Sequence, residues 1–264
     1  MGIAVHIDAD RCIGCGECVD DCFPGVLRLE DGIAVVSGPC LECGHCVAVC
    51  PTEAASIPSY DMEDVESINR MPALNSSQLI RAVKSRRSVR SYTSETLDDA
   101  VIDDMIQAAR YTPTARNRQR TKIVVVKKGL AEFKQMLWDE LPRVAERLAQ
   151  ERSPYARIFD QMHEAYRKNS EDRLFFNAPT FFLVVTKNPW DGGLAAANME
   201  LAAVAHGAGV LHSGYLRHIV SGSKTLESWL GIEGKEISCC MLAGYPAVSY
   251  RRTAPRKPAS VILR

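Results

Sequence analysis

Eight cysteines near the start of the chain fall into two quartets with one internal spacing. The first reads Cys12-x-x-Cys15-x-x-Cys18-x-x-x-Cys22, the second Cys40-x-x-Cys43-x-x-Cys46-x-x-x-Cys50-Pro51. Each member of the second quartet lies 28 residues after its counterpart, so the segment is an internal duplication. Thiolates are soft, anionic donors. Three of them at this spacing wrap one face of a cubane iron–sulfur cluster, and the fourth ligand comes from the other copy. The pattern predicts one 4Fe-4S cluster on Cys12, Cys15, Cys18 and Cys50, and a second on Cys40, Cys43, Cys46 and Cys22. Zinc sites ordinarily use two separated pairs. Disulfides need an oxidising compartment, which nothing in the sequence signals.

This segment resembles the bacterial two-cluster ferredoxins over residues 1–58, with one small departure: the proline after Cys22 comes one place late, at Pro24. It is acidic, with nine Asp and Glu against Arg11 and Arg28, a formal charge of −7. The whole chain of 264 residues nets zero, so the remainder carries +7. A neutral total gives no reason to expect nucleic acid as a partner. The apolar-rich run Leu194 to Leu211 is interrupted by Asn198, Glu200 and His206, so no membrane span is expected. The N-terminus lacks a basic stretch followed by an apolar one, and His6 breaks the myristoylation pattern. A cytoplasmic protein is expected.

The first 58 residues should form a small domain whose stability owes much to its metal clusters. Asp31-Gly32 between Val26–Leu29 and Ile33–Val36 signals a hairpin, and short helices should follow Cys15 and Cys43. Residues 59–75 mix Pro, Ser, Asn and acids without apolar period and read as a linker. From residue 76 the pattern alternates helix and strand. Ser76 or Ser77 is expected to cap a helix through Leu79, Ile80 and Val83. Asp98 and Asp99 open another, with Val101, Ile102, Met105, Ile106 and Ala109 on one face. Thr121–Lys127, Thr180–Thr186 and Ser238–Gly244 read as strands. Leu130 to Tyr166 reads as two helices broken near Ser153-Pro154, and Gly192 to Gly207 as an Ala-rich helix. Residues 76–264 are therefore expected to be one mixed domain.

A second informative stretch is Ser85-Arg86-Arg87-Ser88-Val89-Arg90-Ser91-Tyr92, where a helix should end and an extended segment begin. Three guanidiniums and a hydroxyl so placed suit a phosphate; alone, such a patch is more often a solvated helix end. Three further stretches follow in order: Tyr111-Thr112-Pro113-Thr114-Ala115-Arg116-Asn117-Arg118-Gln119, Gly207 to Tyr215, and Gly244-Tyr245-Pro246 with Pro255-Arg256-Lys257-Pro258. In this order they resemble the nitroreductase family of FMN-dependent oxidoreductases over residues 76–264. The resemblance implies an α+β fold: after the small ferredoxin-like iron–sulfur domain comes a nitroreductase-like α/β sandwich, built as an intertwined homodimer. It assigns Arg86, Arg87, Ser88 and Arg90 to the FMN phosphate and ribityl chain. Pro113, Thr114, Ala115 and Asn117 fall to the segment that reaches the other subunit's flavin, Ser213 and Gly214 to the turn beside the flavin ring, and Arg256 to a further phosphate contact. Arg120-Thr121 stands where the family commonly has Pro-Trp, and His212 where it commonly has an aromatic. Both positions bear on substrate preference. Gly207-Ala208-Gly209 lacks the third glycine of a Rossmann fingerprint, and Gly231 to Lys235 is too short for a P-loop.

Other residues read as packing. Cys239 and Cys240 look like small buried hydrophobes. Trp138, Trp190 and Trp229 look like core aromatics, and Arg143, Arg147, Arg152 and Arg157 like a solvated face. The sixfold spacing of His206, His212 and His218 does not suit a metal on one helix face; position alone puts His212 near the flavin, where a proton could pass. No catalytic residue is assigned. The two motif sets imply an oxidoreductase that passes electrons from two 4Fe-4S clusters to FMN and on to a small organic acceptor such as a nitroaromatic or quinone, with a redox protein as a possible donor. An electron-carrier module serving a protein partner is the alternative, and a redox-sensing flavin module a third.

Overall fold

The computed structural model describes residues 5–68 and 74–264. By their contacts the described residues up to Ile68 group with Thr114–Arg118, and Leu74–Pro113 group with Gln119–Arg264. Part of the expected linker, residues 69–73, lies outside the described residues, as do residues 1–4.

The duplicated cysteine motif is also a duplicated fold. Strand β1 (His6–Ile7), helix α1 (Glu17–Asp20), hairpin strands β2 (Leu27–Glu30) and β3 (Ile33–Val36), helix α2 (His45–Val49) and strand β4 (Ala55–Ser56) follow in order. β1 pairs antiparallel with β4 and β2 with β3. The turn between β2 and β3 places both Asp31 (φ 49°) and Gly32 (φ 80°) in the left-handed region, as a two-residue hairpin loop requires. α1 and α2 each start after a left-handed glycine, Gly16 and Gly44, as expected after Cys15 and Cys43. The core is small: Val5, Leu27, Ala55, Ile57 and Cys46, with further cysteines packed against it.

The larger unit begins with α3 (Ser76–Ser85). Its cap is Asn75, whose side chain accepts from Gln78 N–H, and not Ser76 or Ser77 as expected. The Asn oxygen reaches the third residue on, so the helix begins one residue earlier than a Ser cap would allow. α4 (Asp99–Arg110) buries Val101, Ile102, Met105 and Ala109 on the expected face. Next come β5 (Lys122–Val126), α5 (Leu130–Gln150) and α6 (Tyr155–Asn169), the two helices separated at Ser153-Pro154 as expected. β6 (Thr180–Val185) is buried along its whole length. α7 (Pro189–Ala205) starts before the expected Gly192, because the Asn188 side chain caps Trp190 N–H and Pro189 suits the first helical position. β7 (Gly209–His212), α8 (Gly214–Val220) and α9 (Lys224–Trp229) were not expected; each is short. β8 (Ile237–Gly244) ends the sheet.

The four strands run in the order β5-β6-β8-β7, all neighbours antiparallel. Alternation along β6 builds two cores. Phe181, Leu183 and Val185 face α5, α6, α8 and α9, while Phe182 and Val184 face α4 and α7. The expected α+β sandwich, helices on both sides of a sheet, is present. Trp138 stacks on Tyr166 at 4.0 Å and Trp229 tilts against Phe133, as core aromatics should. Trp190 is a correction: it sits exposed in the first turn of α7. The four arginines of the α5–α6 region are exposed, as expected.

Candidate functional site

In the smaller unit the cysteines surround two hollows. Cys12, Cys15, Cys18 and Cys50 line one; Cys22, Cys40, Cys43 and Cys46 line the other, with Cys18 at its edge. About 360 Å³ in and at the mouth of each is free of protein atoms, part of it open to solvent. The sulfurs ring these volumes, and among the described residues no three His, Cys, Asp or Glu side chains are placed to hold a single ion. All ten cysteines are unpaired. Burial, then the neighbouring Cys40 and Cys43, pushes the Cys46 thiol up to about 11. Burial, then Cys12 and Cys15, raises Cys18. Thiols crowded in this way ionise together only against a compensating positive charge, which iron supplies. Burial pushes Cys50 up too, but hydrogen bonds from Thr52, Ala54 and Ala55 more than offset it and hold its thiol below the usual range. Ala54 N–H donates to Cys50 Sγ and Glu42 N–H to Cys40 Sγ, both at 3.2 Å. The donor set fits a pair of iron–sulfur clusters.

The same unit holds Thr114, Ala115 and Asn117 of the expected flavin-reaching segment. Asn117 Nδ2 donates to the carbonyl of Glu42 at 2.7 Å. The backbone is left-handed at Arg116 and Asn117, with φ of 56° and 49°. Pro113 follows the buried Thr112, whose hydroxyl donates to Ala108 O at 2.8 Å and accepts from Asn198 Nδ2 at 2.7 Å.

In the larger unit, α3 stops at Ser85 and the chain turns extended. Val89 is buried and its N–H donates to Val210 O at 3.1 Å, which pins the segment along β7. Alternation then turns Ser88 and Arg90 outward, both exposed, while Arg86 and Arg87 are half-buried. Only glycine fits at position 209, since a Cβ there would lie 2.4 Å from Val89 Cγ2. Behind this segment stands Glu200 of α7, 6% exposed. Arg86 Nη1 donates to one of its oxygens at 3.1 Å; His212 Nε2 lies 3.3 Å from the other. His212 Nδ1 is 3.2 Å from Cys239 Sγ. The Cys239 sulfur, then the Glu200 carboxylate, raise the imidazole to about 9 against the opposing effect of burial. Ser213 caps α8, its hydroxyl accepting from Leu216 N–H at 3.2 Å, and Gly214 is the first residue of that helix. Ser88 bridges to Val210 of β7, and Glu200 links Arg86 to His212, the last residue of that strand, after which Ser213 and Gly214 follow. Arg256 is exposed in the C-terminal tail, where its guanidinium donates to Pro255 O at 3.2 Å. Arg86 has further N–H donors beyond the one given to Glu200, and the donor set suits a phosphate at the turn.

Sequence reasoning missed Glu200 as a functional residue. The signal was there: a lone carboxylate in the middle of an Ala-rich helix needs a buried partner. Cys239 is a correction too. Cys240 is buried, but its neighbour points to the other face of β8 and is only half-buried.

A model of the nitroreductase family matches residues 83–245, and a model of the 4Fe-4S dicluster domain matches residues 11–54. Ferredoxin-2 of Desulfomicrobium norvegicum is 57% identical over 35 residues, 13% of this chain; the chain spans 59% of that relative's length. An uncharacterised ferredoxin of Methanocaldococcus jannaschii is 42% identical over 59 residues, 21% of this chain and 95% of the relative. A nitroreductase with bound FMN from Desulfitobacterium hafniense superposes with a TM-score of 0.56 at 23% identity, covering 72% of this chain and 100% of its own. One from Bacteroides fragilis, also with bound FMN, gives 0.56 at 19% with the same coverage. At these identities the two structures establish the fold.

Proposed function

We propose a function from one premise: the chain belongs to the nitroreductase family and carries a 4Fe-4S dicluster domain ahead of it. It is an FMN-dependent oxidoreductase of nitroreductase type, passing electrons from two 4Fe-4S clusters through FMN to a small organic acceptor. Residues 1–58 are the cluster domain, 59–75 the linker and 76–264 the FMN domain, working as a homodimer in the cytoplasm. The observation that carries this reading is the presence, in one chain, of two cysteine-lined hollows and a basic turn docked on β7.

When bound, the clusters supply single electrons and FMN passes them on in pairs. The chain's own residues do the rest. Cys12, Cys15, Cys18 and Cys50 hold one cluster; Cys22, Cys40, Cys43 and Cys46 hold the other. The N–H donors of Ala54 and Glu42 stabilise negative charge on two of these sulfurs. Arg86, Arg87, Ser88, Arg90 and Arg256 grip the phosphate end of FMN. Pro113, Thr114, Ala115 and Asn117 would reach towards the flavin of the partner subunit, and Ser213 and Gly214 would help hold the flavin ring. Glu200 holds Arg86 and His212 in place from behind. Linking the two domains raises the effective concentration of electron donor at the flavin.

The test is direct. In protein purified without oxygen, the clusters are reduced chemically and flavin absorbance is followed. Bleaching of the flavin as the clusters reoxidise is expected. A flavin that stays oxidised while the clusters lose their electrons elsewhere overturns the route. The acidic N-terminal segment, at −7, favours a second reading as a carrier that docks on a basic protein. Turnover of a quinone or nitroaromatic without added protein decides against it.

A further inference from the structure

Cys239 has no part in the electron route, yet it sits in an arrangement made for thiol chemistry. Its sulfur is half-buried on the face of β8 that meets α7, 3.2 Å from His212 Nδ1. The opposite ring nitrogen lies 3.3 Å from Glu200. An ionised carboxylate only accepts, so Nε2 carries the hydrogen facing it and Nδ1 is left to share a proton with the sulfur. Arg86 donates to the second Glu200 oxygen at 3.1 Å, so the buried carboxylate has a partner at each oxygen. The four side chains come from the end of α3, from α7, from β7 and from β8, so sheet and helix packing fix the line. Nucleophile, base and orienting carboxylate within hydrogen-bond reach are the parts of an activated thiol.

We infer that Cys239, His212 and Glu200 form a second chemical site, at which the Cys239 thiol adds covalently to small alkenes conjugated with a carbonyl group. The sulfur forms a bond to the β-carbon, the alkene π electrons move to the carbonyl as an enolate, and the proton shared with His212 is delivered to the α-carbon. Nothing is oxidised or reduced, and the reverse steps release the alkene. Acyl transfer is a poorer match, because the adjoining Ser213 is already committed. Its N–H donates to Cys240 O at 2.8 Å and its hydroxyl caps α8, whereas conjugate addition spreads the developing charge over the adduct itself. On the reverse face of β8 lie Cys240, whose thiol burial pushes well up, and Arg217, which donates to Ile237 O. Glu200 and Cys239 are the titratable groups that meet His212, and Arg86 is joined to it through Glu200. The site does not rest on the redox reading, since the addition needs no reduced flavin.

The test uses the full protein with flavin and clusters intact, the flavin oxidised, and N-ethylmaleimide as the conjugated alkene. Adducts are located by peptide mass spectrometry, which separates Cys239 from the other nine cysteines. At pH 7 the adduct at Cys239 forms at least about tenfold faster than in His212→Asn, because the imidazole facing the sulfur favours its thiolate form. The gap narrows towards pH 10, where an unassisted thiol ionises by itself. Glu200→Asp keeps most of the rate and Glu200→Gln loses it. His212→Gln serves as a second variant, with flavin and iron content reporting that each folds. Equal rates in the native protein and both His212 variants overturn the proposal. So does a native protein that forms no Cys239 adduct while the denatured chain does. Either outcome leaves the flavin reading standing, because flavin bleaching is followed separately.

Discussion

His212 ties together three groups that titrate or carry charge, so pH acts on the fold through it. Its folded value, about 9, lies above the ordinary imidazole value of 6.5. A group raised in this way contributes stability that is full below the unfolded value and lost as pH rises through the folded one. Stability measured by urea unfolding should therefore fall between about pH 6.5 and 9, and His212→Asn should flatten that slope. Glu200 is the other end of the same logic. Glu200→Gln leaves a half-buried guanidinium and an imidazole without their anion, at an expected cost of about 1–2 kcal/mol, discounted for the partial exposure of Arg86. Denaturant midpoints at neutral pH check it. The link between these residues was not legible from sequence, for one physical reason. A charge network closes through space, across residues 86, 200, 212 and 239, and leaves no spacing behind. The cysteine quartets were legible because a cluster wraps consecutive turns of chain, so the ligand geometry is written as spacing.

In the larger unit the long elements were readable and the short ones, β7, α8 and α9, were not. β6 announced itself as an unbroken apolar run and α4 by its period of 3.6, because the one buries both faces and the other buries one. β7 is four residues with a glycine and a histidine, and it exists because β8 on one side and Ser88–Val89 on the other supply its hydrogen bonds. Its glycine is testable. Gly209→Ala drives a methyl group into Val89, overpacking that typically costs about 1–3 kcal/mol. The variant should keep its far-UV spectrum and release flavin on gel filtration, since the basic turn no longer lies along β7. The start of α3 offers a finer check on a misread cap. Asn75→Ala should cost about 1 kcal/mol and Ser76→Ala close to nothing, because the cap bond to Gln78 N–H comes from Asn75. Calorimetric melting of the two variants separates them.

For the molecule as a whole, the two units rest on different forces. The larger has a sheet with an apolar core on either face; the smaller has a packed cluster of only five buried residues and two cysteine-lined hollows. A core that small does not hold a fold without its metal. Chelation of iron should therefore melt the smaller unit and leave the sheet of the larger one intact, seen as loss of one calorimetric transition with the other preserved. Asn117 gives this a local reporter. Its amide is fastened to the backbone oxygen of Glu42, which stands between Cys40 and Cys43 in the chain. The neighbouring turn is wound against its own preference at Arg116 and Asn117. Stripped of metal, that anchor point shifts and the turn unwinds, so a trypsin nick after Arg116 or Arg118 would serve as a fuse that reveals which molecules have lost their iron.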